Sequence, residues 1–255
     1  MPLSPQWLPP PSTVILDEGH VHVWSASLRL PAGRVRLLQQ VLSADEWARA
    51  RRLAVAPVRR EFVVARGLLR LLLAAYVNTH PRDVAIRYNP YGKPHLADEH
   101  EKQGIFFNVA HSRGAALFVV TRGRQVGVDL ERIRDDVEYE SIATTFFSPY
   151  EMMMLHELPI AEQRTAFFDC WTRKEAYVKA TGEGLSVPLD RIRVSFIPGE
   201  QPQLIEVPGK SDECRQWKLQ ALRPFANYTG AIVAQMPLKQ LQCWNWQEPQ
   251  SQSCD

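Results

Sequence analysis

Two acidic side chains stand two residues apart in the segment GVDLER at 127–132. On a strand, Asp129 and Glu131 point to the same side because side chains alternate between the two faces. Neighbouring carboxylates on one face repel each other unless water or a cation screens them. A solvated strand edge is the structural alternative. The preceding VGV favours a buried strand, and acids at the end of a buried strand are typical of functional sites.

A third acid, Glu175, lies in the helical segment WTRKEAYVKA that begins at Trp171. On a 3.6-residue repeat, Glu175 and Lys179 share one stripe with Trp171. The structural alternative is a packed tryptophan beside a surface ion pair, which is worth only about 0.3 to 0.5 kcal/mol. Lys174 lies about 100 degrees round the helix from Glu175, so we expect it to face the edge of a cleft or solvent.

Together these segments indicate chemistry at a diphosphate. Mg²⁺ prefers hard oxygen ligands and is typically held by a few carboxylates and by substrate phosphates. Lys179, one turn beyond Glu175, is placed to neutralise negative charge on a phosphate oxygen. An arginine cluster in one 22-residue stretch suits a phosphate-rich ligand, although a solvated helix face is the alternative. Its members are Arg49, Arg51, Arg52, Arg59, Arg60, Arg66 and Arg70.

Two further segments are weaker candidates. In the turn NPYGKP, Gly92 allows a tight bend and Lys93 could meet a phosphate or a base edge, but a plain hairpin turn explains the segment equally well. His111 follows the apolar run FFNVA, where a structural role and a ligand contact both remain open. The sequence contains no Walker, Rossmann, G-x-S-x-G or H-E-x-x-H motif.

Alternating and helical patterns predict the elements that must position these residues. TGEGL is typical of a glycine stop after the second long helix. We predict strands near VHVWSASL, IFFNVA, AALFVVT, QVGVDLERI, IRVSF, WKLQALR and TGAIVAQ, short helices at LSADEWARARRL and SPYEMMMLHEL, and long helices at RREFVVARGLLRLLLAAYV and AEQRTAFFDCWTRKEAYVKATG.

The order of these elements occurs twice. Ser43 with Glu46 and Ser148 with Glu151 form two S-x-x-E capping boxes ahead of apolar runs. Each short helix follows a strand and precedes a long helix. We therefore predict two similar α+β halves joined near residues 122–125, with a ligand site in the cleft between them.

Composition narrows the class of protein. Charged residues make up 23% and hydrophobic residues 45% of the 255, which is ordinary for a soluble globular protein. A formal charge of +2 gives no argument for nucleic acid. The four cysteines have neither metal-site spacing nor a disulfide pattern. No apolar run reaches the roughly 20 residues of a membrane helix, and the proline-rich start does not resemble a signal peptide. We therefore expect a reduced cytoplasmic protein.

Five motifs in order resemble the Sfp-type 4′-phosphopantetheinyl transferases. The resemblance covers residues 40–235, and five blocks in sequence are highly specific where each alone is modest. The length and the internal duplication agree with the single-chain, two-half architecture of that family. The motifs are YGKP at 91–94, FNVAHS at 107–112, GVDLE at 127–131, FFSPYE at 146–151 and WTRKEAYVKATGEGL at 171–185.

The resemblance implies transfer of the phosphopantetheine arm of coenzyme A to a serine of an apo acyl or peptidyl carrier protein, with release of adenosine 3′,5′-bisphosphate. Mg²⁺ would be bound by Asp129, Glu131 and Glu175. Lys179 would contact phosphate near the reacting centre, and Glu175 would help to deprotonate the serine, directly or through water. The coenzyme A contacts implied in the same way are Arg60 with Arg59 as its alternative for the 3′-phosphate, Tyr91, Gly92, Lys93, Pro94, Asn108 and His111.

The family resemblance also implies boundaries and one departure. We expect an α+β fold of two similar halves at 13–123 and 124–245, with 1–12 and 246–255 as extended or disordered ends and the active site between the halves. The family often has serine before the histidine, where this chain has Ala110. One missing hydroxyl contact would weaken coenzyme A binding by about 0.5 to 1.5 kcal/mol, or up to roughly 3 kcal/mol if it reached a charged group.

Three functions stay open from the sequence. The first is the Mg-dependent transferase, acting as a monomer without nucleic acid or membrane. The second is a module that binds carrier protein or coenzyme A without turnover, although a pure binder has no need to gather three repelling carboxylates. The third is hydrolysis of a nucleotide diphosphate by water.

Overall fold

Two copies of one arrangement of elements dominate the computed structural model, which describes residues 5–184, 187–209 and 212–246. Helices in these ranges are α1 (Ala32–Gln39), α2 (Ala44–Arg52), α3 (Ala56–Val77), α4 (Tyr139–Phe146), α5 (Pro149–Glu157), α6 (Ile160–Thr181) and α7 (Glu213–Gln216). Strands are β1 (Trp7–Leu8), β2 (His20–Ser27), β3 (Ile86–Tyr88), β4 (Pro94–Leu96), β5 (Ile105–Ser112), β6 (Ala115–Arg122), β7 (Val126–Arg132), β8 (Arg193–Val194), β9 (Leu204–Glu206), β10 (Trp217–Leu222), β11 (Tyr228–Gln235) and β12 (Gln240–Asn245).

The repeat is visible element by element. The first half runs β2, α1, α2, α3, β3, β4, β5, β6, and the second runs β7, α4, α5, α6, β8, β9, β10, β11, with the short α7 inserted before β10. The strands pair antiparallel in the matching orders β2-β6-β5 and β7-β11-β10. The predicted α+β fold with two similar halves is confirmed.

Two strands outside the repeat extend the first sheet. β12 pairs in parallel with β2, and β1 pairs in parallel with β12, which gives the order β1-β12-β2-β6-β5. The predicted boundaries had placed β12 in the second half and Trp7–Leu8 in an extended arm. Both segments instead complete the sheet of the first half. Residues 1–4 and 247–255 of the predicted ends lie outside the described ranges.

Alternating side chains divide the interior into three apolar layers. Trp24 and Phe118 face α3 from one side of the five-stranded sheet. Val23 and Val128 belong to a second layer, in which the two sheets pack against each other. On the far side of the three-stranded sheet, Val233 belongs to a third layer with residues of α6. The site helix α6 is therefore supported along its length by the sheet that carries β7.

Both long helices have identifiable ends. α3 begins with a proline in its first turn and is capped at its end by Asn78, which has the left-handed conformation. α6 is capped at its end by Gly182, whose φ is +73° and whose N–H donates to the Val178 carbonyl at 2.9 Å. The predicted glycine stop is confirmed, although Leu185 of that motif lies outside the described ranges. Among the described helices, none combines the length and apolarity needed to cross a bilayer.

Each half joins its capping box to its long helix through a buried ion pair. Glu46 accepts the Ser43 N–H at 3.0 Å and pairs with Arg70 Nε at 2.6 Å. In the second half, Glu151 accepts the N–H of Ser148 at 2.8 Å and pairs with Lys174. Equivalent positions in the two halves thus carry equivalent chemistry, which fixes the short helices α2 and α5 onto α3 and α6.

The prediction for Lys174 was wrong. Its side chain is fully buried rather than at a cleft edge, and its Nζ lies 2.5 Å from Glu151 Oε2. The same ammonium donates to the carbonyls of Phe146 and Leu189 at 3.0 and 2.8 Å. Its partner comes from a capping box that is remote in sequence, so the helical wheel alone placed it on the wrong surface. Trp171 is partly buried in the same core, as expected.

Candidate active site

Glycine at position 127 lets β7 lie directly on α6. A Cβ there would sit 2.2 Å from the Ala176 carbonyl oxygen and 2.2 Å from the Ala180 nitrogen, so no larger residue fits without separating the strand from the helix. Because alternate residues share a face, Asp129 and Glu131 follow Gly127 on the side towards α6. Val128, on the opposite face, packs between the sheets.

An ion pair joins this strand to the helix. Lys179 Nζ lies 2.6 Å from Asp129 Oδ1. Asp129 is 5% exposed, and its other oxygen, Oδ2, is buried without a hydrogen-bond partner. Glu131 Oε2 accepts a hydrogen bond from Ser112 Oγ at 2.8 Å, which connects it to the end of β5. Asp129 thus keeps one buried oxygen free for a further cation.

Burial and mutual repulsion both raise the pKa values of the two glutamates. Burial and then the charge of Asp129 raise the pKa of Glu175 above its ordinary value. The same two causes, in the same order, raise the pKa of Glu131. Burial alone would lower the pKa of Lys179, but Asp129 and the two glutamates raise it, so the lysine stays charged. Three acids thus share the field of one lysine.

Asp129, Glu131 and Glu175 are the candidates for binding a metal ion. As the side chains stand, no group of three or more His, Cys, Asp or Glu residues in residues 5–184, 187–209 and 212–246 is arranged to hold a metal ion. The donor chemistry nevertheless fits a hard divalent cation, since Asp129 Oδ2 is buried without a partner and both glutamates are destabilised by the charge of Asp129. Closing the three carboxylates round one ion requires side-chain rotation.

The halves meet at a cavity of about 290 Å³, which we call the acidic cavity because Glu175 lines it. The 91–94 loop and Asn108 come from the first half, and Glu175 and Lys179 come from the second. Seven of the predicted coenzyme A and catalytic positions therefore line one cavity at the C-terminal end of α6. Its lining residues are Tyr91, Gly92, Lys93, Pro94, Asn108, Val109, Glu175, Val178, Lys179, Gly182 and Gly184.

A second cavity of about 190 Å³ adjoins the first and is called here the arginine cavity. Arg66 is 8% exposed, its Nη2 donates to the Tyr88 hydroxyl at 2.6 Å, and its Nη1 is buried without a partner. An unsatisfied buried guanidinium nitrogen is a site for an anion. The lining residues are Arg49, Phe62, Ala65, Arg66, Leu69, Tyr88, Gly92, Pro94, Val109 and His111.

His111 and the two predicted arginines differ in their placement. His111 is solvent-exposed yet lines the arginine cavity, and its pKa is lowered first by desolvation and then by the charge of Lys179. Arg59 and Arg60 line neither the acidic nor the arginine cavity. Arg60 instead donates to the carbonyl of Leu30. From the arginine cluster, Arg66 and Arg49 are the members that reach the cleft.

Asn108 and Ala110 are two residues apart and lie on the same face of β5, towards the second sheet. Asn108 Oδ1 accepts the N–H of Val128 at 2.9 Å, so this amide already links the first half to β7. Its side chain also lines the acidic cavity. Ala110 is 3% exposed in the apolar layer between the sheets, so it is the cavity-lining neighbours of Ala110, rather than its own methyl group, that face the cleft.

The sequence had not singled out three contributors to the site. Ser112 orients Glu131, and it stands in the quoted motif FNVAHS. Arg66 was one of seven clustered arginines, and it is distinguished by a buried Nη1 without a partner and by its place in the lining of the arginine cavity. Asn89 precedes the predicted YGKP loop and accepts the N–H groups of Tyr91 and Lys93, each at 2.9 Å. Asparagine before a tight turn was the available signal for this last residue.

Sequence comparisons with known proteins agree on one family. A family model described as the 4′-phosphopantetheinyl transferase superfamily matches residues 125–233. The chain is 38% identical to the 4′-phosphopantetheinyl transferase HetI of Nostoc sp. over 91% of this chain and 94% of HetI. It is 30% identical to the 4′-phosphopantetheinyl transferase Sfp of Bacillus subtilis, over 58% and 62% of the two chains. A solved holo-[acyl-carrier-protein] synthase of Thermotoga maritima is 17% identical over 44% of this chain and 62% of that one, with a TM-score of 0.34.

Proposed function

Because this chain belongs to the 4′-phosphopantetheinyl transferase superfamily, we propose that it transfers the 4′-phosphopantetheine group of coenzyme A to a serine of an apo acyl or peptidyl carrier protein. Adenosine 3′,5′-bisphosphate is the second product. The observation that carries this proposal is the acidic cavity, where the 91–94 loop of one half faces Glu175 and Lys179 of the other. The loop proposed to bind coenzyme A and the side chains proposed to act in the reaction therefore line the same cavity.

Coenzyme A takes the two adjoining cavities. Its nucleotide end lies along the 91–94 loop, and a phosphate group meets the unpartnered Nη1 of Arg66, with Arg49 and His111 at the same wall. A phosphate there supplies the acceptor that this buried nitrogen lacks. Arg66 and Arg49 take the role that the sequence had suggested for Arg60 or Arg59, since they line the cavity.

The carrier serine attacks the phosphorus of the pantetheine-side phosphate. A bond forms between the serine oxygen and that phosphorus, and the bond to the bridging oxygen breaks, which leaves adenosine 3′,5′-bisphosphate with the negative charge. Glu175 accepts the serine proton, directly or through a water. Lys179 neutralises charge on the phosphate oxygens.

Asp129, Glu131 and Glu175 would hold Mg²⁺. The support for this set is the buried unpartnered Oδ2 of Asp129, together with the burial and the charge of Asp129 that raise the pKa values of both glutamates. When bound, the ion supplies charge neutralisation at the diphosphate. Ser112 orients Glu131 for this role through its 2.8 Å hydrogen bond.

The deciding experiment is mass spectrometry of apo carrier proteins incubated with the chain, coenzyme A and Mg²⁺. We expect the mass of one phosphopantetheine group to appear on the carrier. Asp129→Ala and Glu175→Gln should fold normally and lose at least about 100-fold in rate, because each removes charge placed for the transition state. Asp190→Ala, at an exposed acid outside the cavity, is the matched control and should keep full activity.

Three outcomes would contradict the proposal. Undiminished transfer by both acid variants would reject the metal and base assignments. Coenzyme A binding without any transfer across a panel of acyl and peptidyl carriers would indicate a binding module. Release of adenosine 3′,5′-bisphosphate at the same rate without carrier protein would indicate a hydrolase.

We further propose a monomer in the cytoplasm. Both walls of the acidic cavity come from one chain, so a second copy is not required to complete the site. Cys170, Cys214 and Cys243 are free thiols, which suits a reducing compartment. Coenzyme A and carrier protein are the partners of this proposal, with no nucleic acid and no membrane.

A further inference from the structure

The 91–94 loop is held in shape by one side chain. Asn89 Oδ1 accepts the N–H groups of Tyr91 and Lys93, and the backbone adds bonds from Gly92 N–H to the Asn89 carbonyl at 2.9 Å and from Asn89 N–H to the Lys93 carbonyl at 3.0 Å. Gly92 supplies the positive φ of +86° that the turn needs. The loop is therefore a preformed unit whose position depends on what anchors it.

Lys93 anchors that unit to the other half. Its Nζ donates to the Ala180 carbonyl at 2.7 Å, to Gln125 Oε1 at 3.0 Å and to the Val126 carbonyl at 3.3 Å. An ammonium group has three N–H donors, so all of them are used. No carboxylate in the described residues pairs with it, and burial lowers the pKa of Lys93 to about 8.

The acceptors lie at a place where a cation is favourable. The Ala180 carbonyl is in the last turn of α6, where carbonyl groups have no partner within the helix and the helix dipole is negative. Asn89 Nδ2 also donates to the Gly182 carbonyl, at 3.0 Å. Two side chains of the first half thus cap the C-terminus of the helix that carries Glu175 and Lys179.

Gly182 makes room for this contact. A Cβ at that position would lie 2.8 Å from Lys93 Cδ and 3.2 Å from Asn89 Nδ2. The helix end and the lysine stem are therefore in direct contact. The contact is closely fitted as well as hydrogen-bonded.

We propose that Lys93 and Asn89 form an interhalf clamp, a pair of positioning residues that fixes the coenzyme A loop at the C-terminal end of α6. Lys93 on this view is not a phosphate ligand, because its donors are already satisfied by the second half. The clamp sets the distance between coenzyme A bound on the loop and the reacting groups on the helix. This inference rests on the proposed function, since it assigns the loop to coenzyme A.

Lys93→Met removes the three donors and keeps a stem of similar length. Because a displacement of about 1 Å between reactants costs roughly 100-fold, we expect kcat to fall by about 10- to 100-fold. The fall should be the same with coenzyme A and with 3′-dephospho-coenzyme A as co-substrate. Lys102→Met, at an exposed lysine of the same half, is the control and should match wild type. A loss confined to the KM for coenzyme A that disappears with the dephospho compound would identify a 3′-phosphate ligand and overturn the clamp.

Hydrogen exchange of the ligand-free protein separates the clamp from any phosphate contact. In Lys93→Met, the amides of Lys93 and Gly182 should exchange at least about tenfold faster, because the loop and the helix end lose their shared anchor. A phosphate ligand would leave exchange unchanged in the absence of coenzyme A. Wild-type exchange in this variant would therefore overturn the inference.

Gln125→Ala provides a second test that can be used if Lys93→Met does not fold. Gln125→Ala deletes one acceptor from the far side of the clamp without touching the loop, so we expect faster exchange at the same two amides and a smaller fall in kcat. Asn89→Ala combined with Lys93→Met should lose less than the product of the single losses, because both act on one contact. Full additivity would overturn the clamp. Absence of transfer by the wild type would reject the proposed function instead, while the exchange results would still decide the clamp.

Discussion

Glu175 and Glu131 carry raised pKa values, which fixes how the ligand-free protein should respond to pH and to Mg²⁺. An acid whose pKa is raised on folding contributes stability below its unfolded pKa and loses that contribution as pH rises through its folded pKa. The ionised glutamates therefore destabilise the folded ligand-free protein at pH 8, and this destabilisation is absent at pH 4. A bound cation offsets this loss of stability only when the carboxylates are ionised.

We therefore expect Mg²⁺ to raise the melting temperature at pH 8 by a few degrees and to have little effect at pH 4.5. Differential scanning fluorimetry over a Mg²⁺ series at both pH values measures this. Glu175→Gln should remove most of the shift at pH 8, whereas Asp190→Ala should retain it. An equal shift in the Glu175 variant would show that Mg²⁺ binds elsewhere.

At the residue scale, the sequence predicts side chains whose role depends on local periodicity. The pair Asp129 and Glu131 follows from strand alternation, and Lys179 follows from helical spacing after Glu175. Arg66 could not be chosen from the arginine cluster, because its distinction is a buried nitrogen without a partner.

Lys93 is a second residue whose role could not be predicted from the sequence. The resemblance pointed to its loop, but the direction of its ammonium depends on the helix end that packs against it. The spacing of residues within one half does not predict which groups of the other half they contact.

At the scale of elements, the buried pair of Glu151 and Lys174 holds α5 against α6. Removing one partner of a buried ion pair leaves an uncompensated charge and costs about 3 to 5 kcal/mol. We expect Lys174→Met to lower the free energy of unfolding by about that amount, measured in urea. Lys218→Met, at an exposed lysine of β10, should change it by less than about 0.5 kcal/mol.

The double variant Lys174→Met with Glu151→Gln tests whether the unpaired charge of Glu151 causes this loss of stability. Neutralising Glu151 removes the buried charge, so this variant should be more stable than Lys174→Met alone. If the double variant is less stable than both single variants, the loss reflects packing and carbonyl contacts instead of the unpaired carboxylate.

A second element-scale prediction concerns the contact between β2 and α3. His22 is 1% exposed, its Nδ1 lies 2.9 Å from the Tyr76 hydroxyl, and Trp24 Nε1 donates to the same hydroxyl at 2.9 Å. Burial lowers the pKa of His22 to about 4. A base with a depressed pKa stabilises the fold above its unfolded pKa, and this stability falls as pH drops towards the folded pKa.

Between pH 7 and pH 5 we expect a loss of about 2 kcal/mol attributable to His22. Urea unfolding at the two pH values measures it. His22→Asn should be less stable at pH 7 but should show a shallower pH dependence, and His156→Asn, at an exposed histidine, should behave as wild type. An unchanged slope in the His22 variant would contradict the assignment.

Elements with strong periodicity were predictable, and those that depend on distant partners were not. α3 and α6 have long apolar repeats and clear ends, and β5 and β6 are rich in apolar residues. α1 is short and only two of its residues are buried. β12 is a strand because β2 offers it an edge, which no local pattern of its own residues reveals.

At the scale of the whole molecule, duplication of the fold has not duplicated the site. Arg70 and Lys174 are equivalent because each pairs with the capping glutamate of its half. One and five residues beyond Lys174 stand Glu175 and Lys179, but the same steps beyond Arg70 reach Leu71 and Ala75. The first half therefore lacks the helix groups that the reaction needs.

We accordingly expect one coenzyme A per chain. Isothermal titration calorimetry in the presence of Mg²⁺ should give a stoichiometry of one, and light scattering should give a mass near 29.1 kDa before and after binding. Two equivalents of coenzyme A would reveal a second site in the first half. A doubled mass would contradict the proposed monomer.

Pairing of β12 with β2 ties together segments that are made far apart in time. Ser25 and Asn245, joined by a 2.7 Å side-chain hydrogen bond, are 220 residues apart. During translation this edge of β2 stays unpaired until β12, which follows nearly the whole second half, has left the ribosome. The half that is synthesised first is thus the last to be completed, so an interrupted nascent chain leaves the ribosome with its first sheet unfinished.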